Sequence, residues 1–334
     1  MGLRAYIIKR IINMFILIIL VLTINFLIFE AMPGNPLEAY IAHAAMSGGM
    51  TQEHLEELKK AFGIGLPWYE KYPRYIYSML TFNFGHTSPQ YSGQTVASII
   101  FGEALPNTLL LLGTSSIFAI ILGIIFGAIA AHKRGSIIDS SLVIFSLLTY
   151  SLPTFWMGLI FQYIFGFQLK ILPVQGTMTL GKIVELRQNP ILYWMDRLQY
   201  IILPGLVLTI FTYGGFVLLT RACVLEVLPE DYIVTARAKG VKERAVLFKH
   251  ALKNASLPII TNIALQFGFI LSGAIITETV FQYHGLGIEI YQAITLNEVP
   301  IMQAIFYVIA LCVIIANFIA DLLYGIIDPR IRYE

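Results

Sequence analysis

The stretch EDYIVTARAKGVKERAVLFKHALKNASLPIIT, residues 230–261, differs from the sequence on either side of it. It holds six Lys and Arg, three acidic residues, a glycine at 240 and a proline at 258. The chain as a whole is 57% hydrophobic and only 13% charged, whereas a soluble domain carries about 25% charged residues. A mean hydropathy of +0.75 over 334 residues indicates a membrane protein with several spans, in which a long polar insert needs an explanation.

Apolar runs long enough to cross a bilayer, about 20 residues each, occur six times in the chain. They are 11–31, 107–131, 138–167, 199–221, 257–278 and 301–324. The first is longer than the core of a cleavable signal peptide, about 7–15 residues, and is predicted to be a retained span. Pro153 should kink the third span because proline removes a backbone donor, and the fourth is predicted to begin near Pro204. The predicted fold is an all-α integral membrane protein with six transmembrane helices.

The distribution of charge predicts that both the N-terminus and the C-terminus are cytoplasmic. With that orientation the inner segments hold fourteen Lys and Arg, and the outer segments hold eight over longer loops. Cytoplasmic loops carry an excess of basic residues. The insert at 230–261 then lies inside the cell, between the fourth and fifth spans.

The domain organisation follows from these spans. The predicted parts are an N-terminal tail with the first span (1–31), an extracellular region (32–106), a core of five spans (107–324) and a cytoplasmic tail (325–334). The core contains a cytoplasmic loop at 222–256. In the extracellular region, apolar residues at helical spacing predict an amphipathic helix over 51–63. Aromatic residues crowd 67–85, and this piece is expected to lie on the bilayer surface or over the span ends.

Sequence motifs of enzymes and metal sites are absent. There is no HExxH, no GxSxG and no GxxxxGK[ST] phosphate loop, so the chain is not expected to hydrolyse ATP by that route. The six histidines fall in predicted loops or at span ends, and none pairs with a Cys or His at metal-ligand spacing. We therefore expect no metal and no cofactor on this chain, and we do not expect an enzyme.

Ionisable residues within the spans are scarce, and Glu30, Asp139, Glu278 and Asp321 all fall near span ends. Transporters driven by protons or ions usually carry buried charged relays. Their scarcity argues against a self-contained secondary transporter, although unwound backbone can also hold ions. Neutral polar residues in the spans are candidates either for a translocation path or for interhelical hydrogen bonds. They are Asn25, Gln162, Thr212, Asn262, Gln266 and Asn317.

The insert has the features of two short helices that meet at a glycine. Ala236, Ala238 and Gly240 are small, which lets another surface approach closely, and glycine commonly ends a helix. A second helix is predicted over 242–253, with Pro258 at the start of the fifth span. The pattern predicts a rigid helical lever that fits a groove in another protein. A basic loop held at the anionic membrane face would explain the charge but not the ordered small residues.

DYIVTARAKGV…KHALKNASLPIIT resembles the cytoplasmic loop shared by permease subunits of binding-protein-dependent ABC importers. Gly240 and Leu257-Pro258 match its fixed positions. The longer spacer between them is typical of one branch, the dipeptide and oligopeptide permeases. Other stretches resemble the same branch, in order along nearly the whole chain. They are FEAMPGNP (29–36), the Leu-Pro-x-Thr at 105–108, ETVFQYHGLG (278–287) and DPRIRY (328–333).

The resemblance implies a type I ABC importer permease fold in the cell membrane. Such a permease works with a second homologous permease subunit, two ABC ATPases that hold ATP and Mg, and an extracellular solute-binding protein. Peptides are the expected substrates, with di- or oligosaccharides as the alternative and nickel or glutathione less favoured. The loop would be the coupling helix that enters the ATPase groove. Its predicted contact residues are Asp231, Tyr232, Ala236, Arg237, Ala238, Lys239 and Gly240.

Overall fold

The computed structural model describes residues 3–31, 66–87, 93–270 and 275–327. Apart from one isolated bridge between His86 and Thr95, every regular element in these ranges is helical, as the sequence predicts. The amphipathic helix predicted over 51–63 lies outside the described residues. The helices are α1 Leu3–Ala31, α2 Trp68–Leu80, α3 Val96–His132, α4 Ile137–Ser151, α5 Thr154–Gln168, α6 Ile183–Gln188, α7 Pro190–Val227, α8 Asp231–Ala238, α9 (243–254), α10 Ser256–Ile270, α11 Ile275–Val280, α12 Leu286–Thr295 and α13 Val299–Ile327.

Four of the described helices, α1, α3, α7 and α13, are long and apolar enough to cross a membrane, and the bent pair α4–α5 could form a fifth span. They correspond to the first, second, fourth, sixth and third predicted spans. The predicted fifth span, 257–278, covers α10 and the start of α11, with 271–274 outside the described residues.

Helix α7 begins much earlier than predicted. Asn189 Oδ1 accepts hydrogen bonds from the backbone N–H groups of Ile191 and Leu192, at 3.1 and 3.4 Å, and so caps the helix at Pro190. The expectation that this span begins near Pro204 is wrong, since Pro204 lies inside the helix. An apolar window misses the early turns because Asp196 and Arg197 interrupt the hydrophobic run.

The predicted kink at Pro153 is a complete break. Leu152 is extended, with a ψ of 134°, which is the conformation that proline favours in the residue before it. Helices α4 and α5 therefore meet at an angle of 100°.

The chain forms two compact units, and the first contains 1–109, 271–279 and 284–334. In it α1 and α13 run antiparallel. Arg10 pairs with Asp321 at 2.9 Å near one end, and Asn25 donates to the backbone carbonyl of Gln303 at 3.0 Å towards the other. Residues from α2, the start of α3 and α12 complete the hydrophobic core of this unit.

The second unit contains 110–270 and 280–283, and α7 is its central helix. A Cβ atom on Gly214 of α7 would lie 2.6 Å from the backbone oxygen of Ser146 in α4. Gly214 therefore permits the close approach of α4 and α7. Beyond the end of α7, helices α8 and α9 fold against the ends of α3 and α7.

Candidate functional site

Helix α8 ends at Gly240 in the manner that its sequence predicts. Gly240 has a φ of +75°, in the left-handed region that glycine enters without steric cost. Its N–H donates to the carbonyl of Arg237 at 2.9 Å, and the N–H of Val241 donates to the carbonyl of Ala236 at 3.2 Å. These two hydrogen bonds form a Schellman motif, which closes the helix and reverses the chain.

The inner face of α8 packs on the chain's own core. Ile233 is fully buried and Ala236 is 7% exposed. Both belong to a cluster with Val224 of α7 and with Val246 and Ala251 of α9. The predicted second helix is confirmed as α9, which includes a π-helical turn at Val246–Ala251. Because α8 rests on a packed base, its position is fixed relative to the end of α7.

The outer face of α8 is a ridge of exposed side chains, which we call the α8 ridge. It consists of Asp231, Tyr232, Val234, Thr235, Arg237, Ala238, Lys239 and Gly240. Tyr232 is 41% exposed and Val234 54%, so apolar surface lies beside basic residues. Partial desolvation, and then the nearby Glu230 carboxylate, raise the pKa of the Tyr232 phenol. Of the predicted contact residues, only Ala236 faces inward and supports the ridge from below.

Two ion pairs link α8 and the end of α7 to neighbouring helices. Arg237 pairs with Glu243 at 3.0 Å across the turn between α8 and α9. Near the end of α7, Arg221 donates from Nε and Nη2 to the two carboxylate oxygens of Asp139, at 2.7 and 2.9 Å. Asp139 also accepts from the backbone N–H of Gly135 at 2.9 Å. This second pair joins the start of α4 to the end of α7, and sequence reasoning did not find it.

A second polar site in the first unit joins two motifs that lie far apart in the sequence. Glu278 is fully buried. One carboxylate oxygen accepts from the Thr108 hydroxyl at 2.8 Å, and the other accepts from the backbone N–H groups of Gly287 and Ile288 at 2.7 and 3.2 Å. The Thr108 hydroxyl in turn accepts from the N–H of Leu286 at 2.8 Å. Glu278 and Thr108 thus supply the N-terminal cap of α12, whose own N-cap residue is glycine.

Close packing around this cap explains its two glycines. A Cβ on Gly285 would lie 2.5 Å from the carboxylate of Glu278 and from the Thr108 hydroxyl. A Cβ on Gly287 would lie 2.6 Å from the Cα of Ile275. The motifs Leu-Pro-x-Thr and Glu-x-Val-Phe…Gly-x-Gly are therefore two halves of one site. Both motifs are recognisable in the sequence, but the sequence does not indicate that they are in contact.

The six residues predicted to line a path occupy different environments. Asn25 and Gln162 are buried, and both donate to backbone carbonyls, Asn25 to Gln303 and Gln162 to Val174 and Val280. These two amides therefore serve as internal hydrogen-bonding groups. Thr212 and Gln266 are half-buried, whereas Asn262 and Asn317 are exposed. Within the described ranges, no group of His, Cys, Asp and Glu side chains could hold a metal ion.

Comparison with protein families decides what kind of chain this is. The profile of the inner membrane component of binding-protein-dependent transport systems matches residues 123–333. The chain belongs to this family of permeases. The profile for the N-terminal part of the same membrane components matches residues 3–98, so the two matches cover most of the permease.

Relatives similar to this permease match it over nearly their whole length. The oligopeptide transport system permease protein AppB of Bacillus subtilis is 35% identical over 329 residues, 98% of this chain and 99% of its own. The di/tripeptide transport system permease protein DppB of Pseudomonas aeruginosa is 35% identical, over 93% of this chain and 94% of its own. The dipeptide transport system permease protein DppB of Escherichia coli K12 is 33% identical, with the same two coverages.

Membership of this family confirms the family, the membrane location and the transport role predicted from the sequence. The chain is a multi-pass protein of the inner or plasma membrane and a transport subunit, not an enzyme. Permeases of this family function with an ABC ATPase and a binding protein. The exposed α8 ridge is therefore a candidate surface for contact with the ATPase.

Proposed function

We propose that this permease is one half of the membrane channel of an ATP-driven peptide importer. In this proposal it has six spans with both termini in the cytoplasm, and it pairs with a second homologous permease subunit. Two ABC ATPases bind on the cytoplasmic side, and an extracellular solute-binding protein delivers the substrate. ATP and Mg are held by the ATPases, and no cofactor is bound by this chain.

The observation that carries the proposal is the construction of the α8 ridge. A short helix with an exposed apolar and basic outer face rests on a packed base and continues, through a few residues, from the long span α7. A helix that packs on a rigid core and exposes its outer face can transmit the displacement of a bound partner to the spans. We assign ATPase contact to Asp231, Tyr232, Arg237, Ala238, Lys239 and Gly240, and the support of these residues to Ala236.

The Asp139–Arg221 pair extends this proposal to the spans. A bidentate pair between a carboxylate and an arginine fixes orientation as well as distance. Since the pair ties the start of α4 to the end of α7, a displacement of α8 would move both helices together. The family's transport cycle requires such a two-state element, which the ATPases bias.

Peptides are the proposed substrate class, because the three relatives described above carry peptide transport in their names and match this chain almost end to end. The oligosaccharide alternative has no comparable support. Residues of the translocation path are proposed among Asn25, Gln162, Thr212, Asn262, Gln266 and Asn317. The half-buried Thr212 and Gln266 are the first to test, because the amides of Asn25 and Gln162 already donate to backbone carbonyls.

The proposal is tested by purifying the chain from its native membrane in mild detergent and reconstituting what comes with it. We expect two phosphate-loop ATPases and a second permease to co-purify, and we expect ATP-dependent uptake of labelled peptides when the binding protein is added. Competition by unlabelled peptides but not by oligosaccharides supports the substrate class. Uptake by the chain alone, without any ATPase, would contradict the proposal.

A further inference from the structure

Helix α2 is attached to the last two turns of the membrane span α1. The phenol of Tyr72 lies 2.7 Å from the hydroxyl of Thr23, and Lys71 Nζ pairs with Glu30 at 2.9 Å. The rings of Tyr72 and Tyr75 lie 5.4 and 5.5 Å from the ring of Phe26. These contacts place α2 beside residues 23–30 of α1.

The charges at the two ends of α1 give the depth of this attachment. Arg10 and Glu30 bound its apolar stretch, and twenty residues at about 1.5 Å each span about 30 Å, the thickness of the hydrocarbon core. Each boundary is marked by an ion pair, Arg10 with Asp321 and Glu30 with Lys71, both at 2.9 Å. Thr23 lies seven residues before Glu30, about 10 Å deeper. Helix α2 is thus attached within about 10 Å of a membrane boundary, the depth range of interfacial helices.

The side chains of α2 divide into three faces when successive residues are turned by about 100°. The first face packs on the protein core and contains Tyr72, Tyr75, Ile76 and Met79. Beside it lies an exposed aromatic and aliphatic face, and beyond that a charged face with Glu70 and Arg74. The second face holds Tyr69, Tyr77 and Leu80, exposed by 60, 71 and 46%. Together with Trp68, which is the first residue of the helix and is 67% exposed, these residues form what we call the α2 aromatic face.

The position of the α2 aromatic face indicates what covers it. It lies at the level of a membrane boundary, where Trp and Tyr rings are preferred because one part of each is apolar and the other is polar. The exposed residues on the same turns of α1, Ile24, Leu27 and Ile28, are aliphatic, as on a surface that faces lipid. A charged face on the far side of α2 satisfies the remaining requirement of a helix at this boundary, which is contact with water.

We propose that α2 is a membrane-interface helix. The α2 aromatic face lies among lipid headgroups and the adjoining ends of the acyl chains, and Glu70 and Arg74 face water. The Lys71–Glu30 pair and the Tyr72–Thr23 hydrogen bond then transfer this anchorage to α1 and restrict its movement along the membrane normal. The inference depends only on the chain being a membrane permease and not on its substrate.

The test uses the three tryptophans of the chain, Trp68, Trp156 and Trp194. The full chain, with the partners that co-purify with it, is reconstituted into phosphatidylcholine vesicles whose acyl chains are brominated either near the ester end or near the methyl end. In the Trp156→Phe/Trp194→Phe variant, all tryptophan fluorescence of this chain comes from Trp68. Equivalent unbrominated vesicles give the reference intensity, and tryptophan-free partner subunits remove the background.

Three further variants, each in a chain with no other tryptophan, supply matched controls. Leu20→Trp reports the bilayer centre, because Leu20 is exposed on α1 and lies ten residues from both Arg10 and Glu30. Tyr69→Trp is a second probe of the α2 aromatic face. Arg74→Trp lies about 140° from Tyr69 around the same helix and reports the charged face.

We expect Trp68 and Tyr69→Trp to lose more fluorescence to the shallow bromines than to the deep ones. Leu20→Trp should show the opposite order, and Arg74→Trp should respond to aqueous acrylamide and to neither lipid. The proposal is overturned if Trp68 and Tyr69→Trp respond to neither lipid while Leu20→Trp does, since water or a partner protein would then cover this face. Deep quenching of both would overturn it as well, by placing α2 inside the hydrocarbon core.

Discussion

Gly240, after α8, and Gly287, in the first turn of α12, are both essential to their motifs for opposite reasons. Gly240 has a positive φ, and a Cβ there would meet nothing within 4 Å. Gly287 has no such backbone requirement, but a Cβ there would lie 2.6 Å from a backbone atom. Gly240 shapes the α8 ridge, which is exposed and open to a partner. Gly287 permits the buried cap of α12, in which Glu278 and Thr108 hydrogen-bond within the chain. Changes at the closed site should therefore reduce stability, and changes at the open site should reduce coupling.

The largest loss of stability is expected from Glu278→Ala. Two buried backbone N–H groups and the Thr108 hydroxyl lose their acceptor, and a cavity remains. Each unsatisfied group costs about 1–3 kcal/mol, so we expect a total of about 4 kcal/mol. Thermal unfolding in detergent measures it. Glu278→Gln keeps the shape and one acceptor oxygen and should lose clearly less; equal losses in the two variants would show that hydrogen bonding is not what the carboxylate supplies.

Gly287→Ala is expected to cost about 3 kcal/mol, since overpacking against backbone cannot be relieved by a side-chain rotation. The matched control is Gly113→Ala in α3, where a Cβ meets nothing within 4 Å. That variant should gain about 0.5–1 kcal/mol, because alanine is the better helix residue. If both variants unfold at the same temperature, the close approach at Gly287 does not constrain the protein.

Asp139→Asn tests the ion pair that joins the start of α4 to the end of α7, next to the open α8 ridge, and it should reduce stability and coupling together. Arg221 would lose its bidentate carboxylate, and we expect a loss of about 2 kcal/mol, less than for a fully buried pair because Arg221 is partly exposed. ATP-driven uptake per folded complex should also fall, since α4 and α7 would no longer move together. The measurement is uptake per folded complex beside the unfolding temperature. Full uptake at a lowered unfolding temperature would limit the pair to a structural role.

Gly240→Asn tests the exposed α8 ridge. Asparagine tolerates the left-handed conformation, so the stability loss should be about 1 kcal/mol, whereas the added side chain on the α8 ridge should abolish peptide uptake. Gly135→Asn is the control, because Gly135 also has a positive φ, of +77°, and open space around it. It should lose similar stability and keep uptake. Normal uptake by Gly240→Asn would remove Gly240 from the proposed ATPase contact.

The smallest effect is expected from Glu243→Gln, which breaks the exposed Arg237–Glu243 pair. Its partners are 41 and 50% exposed, and such a surface pair contributes about 0.5 kcal/mol or less. The unfolding temperature should hardly change, and high salt should erase any difference from the unaltered chain. A loss comparable to that of Asp139→Asn would show that the turn between α8 and α9 is not open to solvent.

Local features of this fold were predictable because local sequence dictates them. Gly240 as a helix end, α9 after it and the interruption at Pro153 all follow from the conformations that glycine and proline allow. The early start of α7 was not predictable from hydropathy, since its first turns are polar. The count of six spans stays a prediction, because 271–274 lie outside the described residues.

Long-range polar pairs could not be predicted in the same way. Glu278 was recognisable as part of a motif, and Asp139 as a charge near a span end. Their partners lie 170 and 82 residues away, and one sequence holds no signal of which distant groups meet. The exposure of the α8 ridge and the burial of Ala236 likewise follow from the packing of α8 on α9, not from the spacing of residues in α8.

The 170 residues between Thr108 and Glu278 also have a consequence for synthesis in the cell. A ribosome adds about 5–20 residues each second, so roughly ten to thirty seconds pass between the emergence of Thr108 and that of its partner. During that interval the Thr108 hydroxyl lacks its partners Glu278 and Leu286, and it can instead donate to a carbonyl of its own helix. The first unit of this permease is therefore completed only after translation has passed through most of the second.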